Sequence, residues 1–219
     1  MSKAVLEVLE HSRLVPVLRA PSPDLALIAA DALVAGGIRV IEVTLTVPKA
    51  VDVIRTLVER FASTDTVVGA GTVLNGDEAA QCLDAGAQFV VTPGLDVSLV
   101  EKLKEQRVPV MPGALTPTEV ITAWQAGADM VKVFPCSAMG GPGYLKSLKA
   151  PLPDVKLFPT GGVKLENIND YLNAGASVLG VGAALVDINA VSSGEPERLT
   201  ERARAYVSAI DAYRDQATQ

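Results

Sequence analysis

Apolar runs recur along the chain at Leu14 to Leu18, Ile38 to Leu45, Val67 to Val73, Phe89 to Thr92, Val108 to Met111, Met130 to Phe134, Val155 to Phe158 and Val178 to Val181. Most are nearly unbroken in Val, Ile, Leu or Phe instead of alternating with polar residues. That is the pattern of strands covered by helices outside and packed against one another inside, so it favours a parallel arrangement. Between them, Asp24 to Ala35, Ala50 to Phe61, Asp77 to Ala85, Val97 to Gln106, Thr118 to Ala126, Tyr144 to Lys149 and Leu165 to Ala174 place apolar residues mostly three or four apart. This spacing puts them on one face of a helix. A short N-terminal helix is expected before the first strand, and a last helix near Glu197 to Tyr213. Ser22-Pro23-Asp24 and Thr116-Pro117-Thr118-Glu119 read as helix starts, because Ser or Thr caps free N–H groups and Pro is tolerated in the first turn.

An internal echo organises these elements. Ala35-Gly36-Gly37, Ala85-Gly86-Ala87, Ala126-Gly127-Ala128 and Ala174-Gly175-Ala176 each stand just before a strand, at steps of 50, 41 and 48 residues. A helix that stops at glycine and turns directly into the next strand explains the repeat. Eight such units predict a (β/α)8 TIM barrel, a compact single domain over residues 1–219, although 219 residues is short for that architecture.

Composition narrows the function classes. With 49% hydrophobic and 20% charged residues the chain is not disordered, and 19 basic against 25 acidic side chains leave a net charge of -6. No broad positive surface is therefore expected for nucleic acid or anionic membrane, and an anionic ligand has to be held by local chemistry. The N-terminus lacks a secretory pattern and no 18-residue apolar span occurs, so a cytoplasmic location is expected. Cys82 and Cys136 are expected as free thiols. The single histidine, His11, has no ligand cluster around it, so neither a metal site nor a Ser/His/Asp triad is supported, and no cofactor is expected. Trp124 and Val120 read as helix packing.

In a barrel the functional groups stand at the C-terminal ends of the strands. Here those ends offer Arg19, Glu42, Thr44, Thr46, Thr72, Thr92, Lys132, Thr160, Gly161-Gly162 and Gly180-Val181-Gly182. Lys132 is flanked by Val131 and Val133, so if the valines face the helices the lysine faces the interior. Burial lowers the pKa of an ammonium and populates the neutral amine that attacks a ketone; the alternative is a strand-end lysine that reaches solvent. Glu42 interrupts Val40-Ile41-Glu42-Val43 in the same way, either as a proton shuttle beside Lys132 or as its structural ion-pair partner. Thr160-Gly161-Gly162 and Gly180-Val181-Gly182-Ala183 follow the last two strands, where exposed N–H groups can cradle a phosphate. Arg19 suits a substrate carboxylate, the orientation of Glu42, or a rim salt bridge. Thr72 offers a hydroxyl for carboxylate recognition.

With these residues in place, the chain resembles the bacterial 2-dehydro-3-deoxy-phosphogluconate (KDPG) aldolase and 4-hydroxy-2-oxoglutarate (KHG) aldolase family over nearly its whole length. The resemblance rests on Val15-Pro16-Val17-Leu18-Arg19, Ile41-Glu42-Val43-Thr44, Gly69-Ala70-Gly71-Thr72-Val73, Val91-Thr92-Pro93-Gly94, Lys132-Val133-Phe134-Pro135 and Pro159-Thr160-Gly161-Gly162-Val163. It implies a metal-independent class I aldolase in which Lys132 forms a Schiff base with pyruvate or the substrate ketone and Glu42 is the acid/base. It also implies that Arg19, Thr72, Pro93 and Phe134 line the pyruvyl site, and that Thr160, Gly161, Gly162, Gly182 and Ala183 hold the distal, phosphate-bearing end. The implied partners are a 2-keto-3-deoxy sugar acid phosphate and pyruvate, and the implied assembly is a homotrimer. Two departures bear on specificity: some members carry arginine at the position of Thr46, and many carry serine at that of Ala183. The run from Phe134 to Pro142 is also similar to phosphogalactonate aldolases, which leaves stereochemical preference open. A phosphosugar-binding sensor barrel would share the shell but would leave Glu42 and Lys132 purely structural.

Overall fold

The computed structural model describes residues 2–217. Six parallel strands form one sheet in the order β5 (Val110–Met111), β4 (Val90–Val91), β3 (Val67–Gly71), β2 (Val40–Thr44), β1 (Leu14–Leu18) and β9 (Leu179–Val181). A second parallel sheet holds β6 (Gly113–Ala114), β7 (Val131–Val133) and β8 (Leu157–Pro159). Single bridges, Leu157 with Ala176 and Thr160 with Gly180, join β8 to the segment around β9. The parallel α/β layering is as the apolar pattern predicts, but hydrogen bonding distributes the strands over two sheets. Pro112 marks the division. It has no N–H to donate, and the chain pairs with β4 before it and with β7 after it, while the Pro112 carbonyl accepts from Lys132 N at 2.9 Å.

Helices occupy the intervals between strands: α1 (Ser2–Ser12), α2 (Pro23–Ala35), α3 (Ala50–Arg60), α4 (Gly76–Asp84), α5 (Val97–Glu105), α6 (Pro117–Gln125), α7 (Pro142–Lys149), α8 (Ile168–Asn173), α9 (Ile188–Ser192) and α10 (Pro196–Ala217). Both expected starts are capped. The Ser22 side chain accepts from Leu25 N, and Thr116 and Glu119 close a reciprocal capping box. The expected helix over Leu165 to Ala174 begins instead as a 3-10 turn, Leu165–Asn167, and the short α9 has no counterpart in the sequence reading.

The glycine echo has a common geometry. Gly37, Gly86, Gly127 and Gly175 all have φ near +95° (96, 95, 95 and 96), and the N–H of the following residue reaches back to the carbonyl five positions earlier, as Ile38 N does to Leu33 O at 3.1 Å. This hydrogen bond ends the helix and aims the chain into the next strand. Between α5 and β5 the same bond, Val108 N to Leu103 O at 2.9 Å, is made with Arg107 in the glycine position at φ +59°.

Strand side chains divide by parity into two clusters. Leu14, Leu18, Ile41, Val43, Val68, Ala70, Val131 and Val133 pack outward under the helices. Val15, Val40, Val67, Phe89, Val91, Met111, Met130, Phe158 and Val178 pack inward, where Val5 and Leu9 of α1 cover them. Cys82 and Cys136 are free and buried. Among the described residues no helix is long and apolar enough to cross a membrane.

Candidate active site

The site begins one step above the inward cluster. Val131 and Val133 belong to the outer packing, so Lys132 between them takes the inner face of β7; it is 2% exposed. By the same alternation Glu42, between Ile41 and Val43, takes the inner face of β2 and is fully buried. Space for the carboxylate is cut from the neighbouring strand. A Cβ on Gly71 would lie 2.0 Å from Glu42 Oε1 and 2.6 Å from its Cδ.

The electrostatics follow from burial. Desolvation pushes the Glu42 carboxyl above the usual carboxylate range, opposed by the positive charges of Lys132 and Arg19. Desolvation likewise holds the Lys132 ammonium below the ordinary lysine value, with the Glu42 charge working against it and Arg19 adding to it. Neither Glu42 oxygen has a protein hydrogen-bond partner among the described residues. The two side chains thus sense each other's charge and together disfavour holding both ions in a dry interior. The Lys132 ammonium nitrogen also lies 5.1 Å from the centre of the Phe134 ring, on the same inward face two residues on.

Phe134, whose ring neighbours Lys132, also borders a cavity of about 290 Å³, with Val17, Arg19, Thr160, Gly161, Gly162, Val163, Lys164, Gly180, Gly182, Ala183 and Ala184. The sequence-predicted Arg19, Phe134, Thr160, Gly161, Gly162, Gly182 and Ala183 are therefore brought together. Arg19 is exposed at the rim, just beyond β1. Thr160 is buried, and its hydroxyl has no partner among the described residues. Gly161 and Gly162 have φ of +93° and +80°, and a Cβ on Gly162 would strike Ser137 Cβ at 2.3 Å, so this turn requires glycine. Gly182, by contrast, has nothing within 4 Å of where a Cβ would stand, and its carbonyl accepts from Val186 N at 2.8 Å.

Four sequence-predicted residues stand outside that cavity's border: Lys132, Glu42, Pro93 and Thr72. Pro93 lines a neighbouring depression with Val73, Leu74 and Thr92, and Thr92 accepts from Gly113 N at 3.3 Å. Thr72 follows β3 in a left-handed conformation, φ +58°, a strained backbone for a β-branched residue. Thr46, at one of the departures noted above, is 2.7 Å from the Thr44 hydroxyl, which donates to Leu18 O at 3.0 Å. Lys164 escaped the sequence reading. It sits four residues beyond Thr160 in a polar loop, and only the turn at Gly161-Gly162 brings it back to the rim. Among the described residues no group of three or more His, Cys, Asp or Glu side chains is placed to hold a metal ion.

Comparison with known proteins gives this geometry relatives. The family model for KDPG and KHG aldolase matches residues 5–202. The chain is 39% identical over 201 residues to the KHG/KDPG aldolase of Escherichia coli K12, covering 91% of this chain and 93% of that one. It is also 39% identical over 207 residues to the 2-dehydro-3-deoxy-phosphogluconate aldolase of Dickeya dadantii, covering 94% and 96%. Among solved structures, a KDPG aldolase from Legionella pneumophila, with pyruvate captured at low pH as a covalent carbinolamine intermediate, superposes with a TM-score of 0.83 at 33% identity, covering 90% of this chain and 95% of that one.

Proposed function

Because the chain belongs to the KDPG and KHG aldolase family, we propose that it is a Schiff-base aldolase that cleaves 2-dehydro-3-deoxy-6-phosphogluconate to pyruvate and glyceraldehyde 3-phosphate. The observation that carries this reading is a buried Lys132 and a buried Glu42 that feel each other's charge, with Phe134 linking Lys132 to a cavity edged by Arg19 and by the glycine turns. The covalent carbinolamine described for the Legionella relative supports the same chemistry.

The neutral Lys132 amine adds to the C2 carbonyl of the substrate; the protonated Glu42 carboxyl then gives its proton to the carbinolamine hydroxyl, which leaves as water, so that a protonated imine and a Glu42 carboxylate remain. The Glu42 carboxylate takes the proton of the C4 hydroxyl. The C3–C4 bonding pair then moves into the imine, releasing the aldehyde and leaving an enamine. Glu42 returns a proton to C3, and water adds to the imine to release pyruvate and free Lys132. Arg19 and Thr72 bind the C1 carboxylate, Pro93 and Phe134 wall the pyruvyl carbons, and Thr160, Gly161, Gly162, Gly182 and Ala183 receive the phosphate. In support of the last role, no backbone carbonyl takes up the N–H groups of Gly161, Gly162 or Ala183 among the described residues.

Residues 1–219 act as one domain with a (β/α)8 barrel as its plan, a reading supported on one side by the bridges that link Leu157 to Ala176 and Thr160 to Gly180. The enzyme works in the cytoplasm as a homotrimer, a state that light scattering on the purified protein measures directly. Incubation with pyruvate and borohydride, followed by peptide mass measurement, tests the chemistry. Reduction is expected to fix the adduct on Lys132, and folded protein that yields no such adduct overturns the mechanism. Glu42→Gln is expected to keep the fold and lose at least about a hundredfold in turnover, within the usual range for a general acid–base group.

A further inference from the structure

The distal cavity has a feature that its glycine turns do not supply. Its border includes two cations, Arg19 and Lys164, and no acidic residue. Lys164 is held there by its backbone. Val163 beside it is buried, the Asn167 side chain accepts from Lys164 N at 2.8 Å, and the same side chain donates to Gly162 O at 2.9 Å. The turn that shapes the cavity and the residue that carries the charge are thus one rigid unit. The ammonium itself stays solvated: the side chain is 58% exposed and lies 3.6 Å from Glu166 Oε1, a weak and screened pair that exchanges partners at little cost. The Thr160 hydroxyl on the same border is buried without a partner among the described residues, and Ala183 brings no polar side chain.

We propose that Lys164 is a specificity-determining residue that selects substrates ending in a phosphate monoester, by moving from Glu166 to the phosphate when substrate fills the cavity. The inference rests on the aldolase reading above and adds to it a charge the neutral turns lack. Lys132 fixes C2 deep in the strand layer, so the length of the substrate decides what reaches the rim. A six-carbon acid phosphorylated at C6 carries nearly two negative charges out to the level of Lys164. A five-carbon hydroxy-dicarboxylate ends one carbon beyond the bond that breaks, with a single charge that stays below the rim. Lys164 therefore acts on the first and not on the second.

The test is the ratio of kcat/KM for the phosphorylated six-carbon substrate to that for 4-hydroxy-2-oxoglutarate, measured in wild type, Lys164→Gln, Lys164→Arg and Glu166→Gln. Lys164→Gln is expected to lower the ratio about fivefold or more, chiefly through KM of the phosphorylated substrate, as for loss of a charge-assisted contact. Lys164→Arg is expected to restore most of it, and Glu166→Gln, which frees the ammonium, to raise it. A ratio unchanged in Lys164→Gln, or equal losses on both substrates, overturns the proposal while leaving the Schiff-base mechanism intact. Wild-type protein that cleaves neither substrate and traps no pyruvate on Lys132 overturns both.

Discussion

Gly71→Ala places a single methyl group against the carboxylate of Glu42 and separates the positioning of that group from the reactivity of Lys132. The new Cβ would stand 2.0 Å from Oε1 and 2.6 Å from both Cγ and Cδ, where ordinary contact begins at 3.4 Å. Glu42 is fully buried, so its side chain has no solvent to swing into; either the carboxylate shifts or β3 moves away from β2. A displacement of about 1 Å in a reacting group costs on the order of a hundredfold in rate. Overpacking of this kind costs about 1–3 kcal/mol of stability, which for a chain of this length lowers Tm by roughly 2–12 °C. Steady-state cleavage, a thermal melt and pyruvate trapping with borohydride read the three consequences. Turnover is expected to collapse and Tm to fall, while Lys132, on a different sheet, still forms the adduct. Gly76→Ala is the packing control, since its Cβ would meet only Lys102 Nζ, at 3.6 Å. A Gly71→Ala enzyme with wild-type turnover and Tm would refute the claim that this glycine makes the room in which Glu42 works.

Other outcomes follow from the same geometry. Lys132→Met removes the larger of the two positive influences on buried Glu42 and leaves Arg19. A carboxyl whose folded pKa exceeds its unfolded value gives its full stability below the unfolded pKa and loses it as pH rises through the folded one. Urea unfolding should therefore show the variant losing more stability than wild type between pH 5 and pH 8, by about 1.4 kcal/mol for each unit of difference, and an equal or smaller loss contradicts burial as the cause. Arg107→Gly is expected to stabilise the protein by about 0.5–1 kcal/mol, because glycine relieves the left-handed conformation at φ +59° that exposed Arg107 holds. A lower Tm in that variant would mean that the arginine side chain contributes more than its backbone costs.

The helical and strand segments are readable in the chain wherever one local rule dominates. Valines on both sides of Lys132, and Ile41 and Val43 around Glu42, are enough to turn each polar side chain inward once a parallel layer is assumed. Ser22 and Thr116 mark helix starts because their caps act over three residues. What escapes the sequence is set by longer reach. Pro112 can be seen to lack an N–H, but which strands take up the chain on either side of it depends on β4 and β7. Arg107 performs the turn that glycine performs after four other helices, so a search for Gly passes over it. Lys164 joins the cavity only because Gly161 and Gly162 reverse the chain. Glu42 and Lys132 are expected side by side from the sequence, and they do feel each other's charge, but from separate sheets and without an ion pair between them among the described residues.

The inward cluster sealed by Val5 and Leu9 has a kinetic meaning as well as a structural one. Phe89, Met111, Met130 and Phe158 fill the inward face of the strand layer, and the cavity beside Phe134 is bordered by Arg19 and Lys164. The aldehyde half of the substrate stands between the imine and that border. On the proposed mechanism, a packed layer at the bottom favours an order at the top: cleavage, departure of the aldehyde, then hydrolysis of the pyruvyl half expected on Lys132.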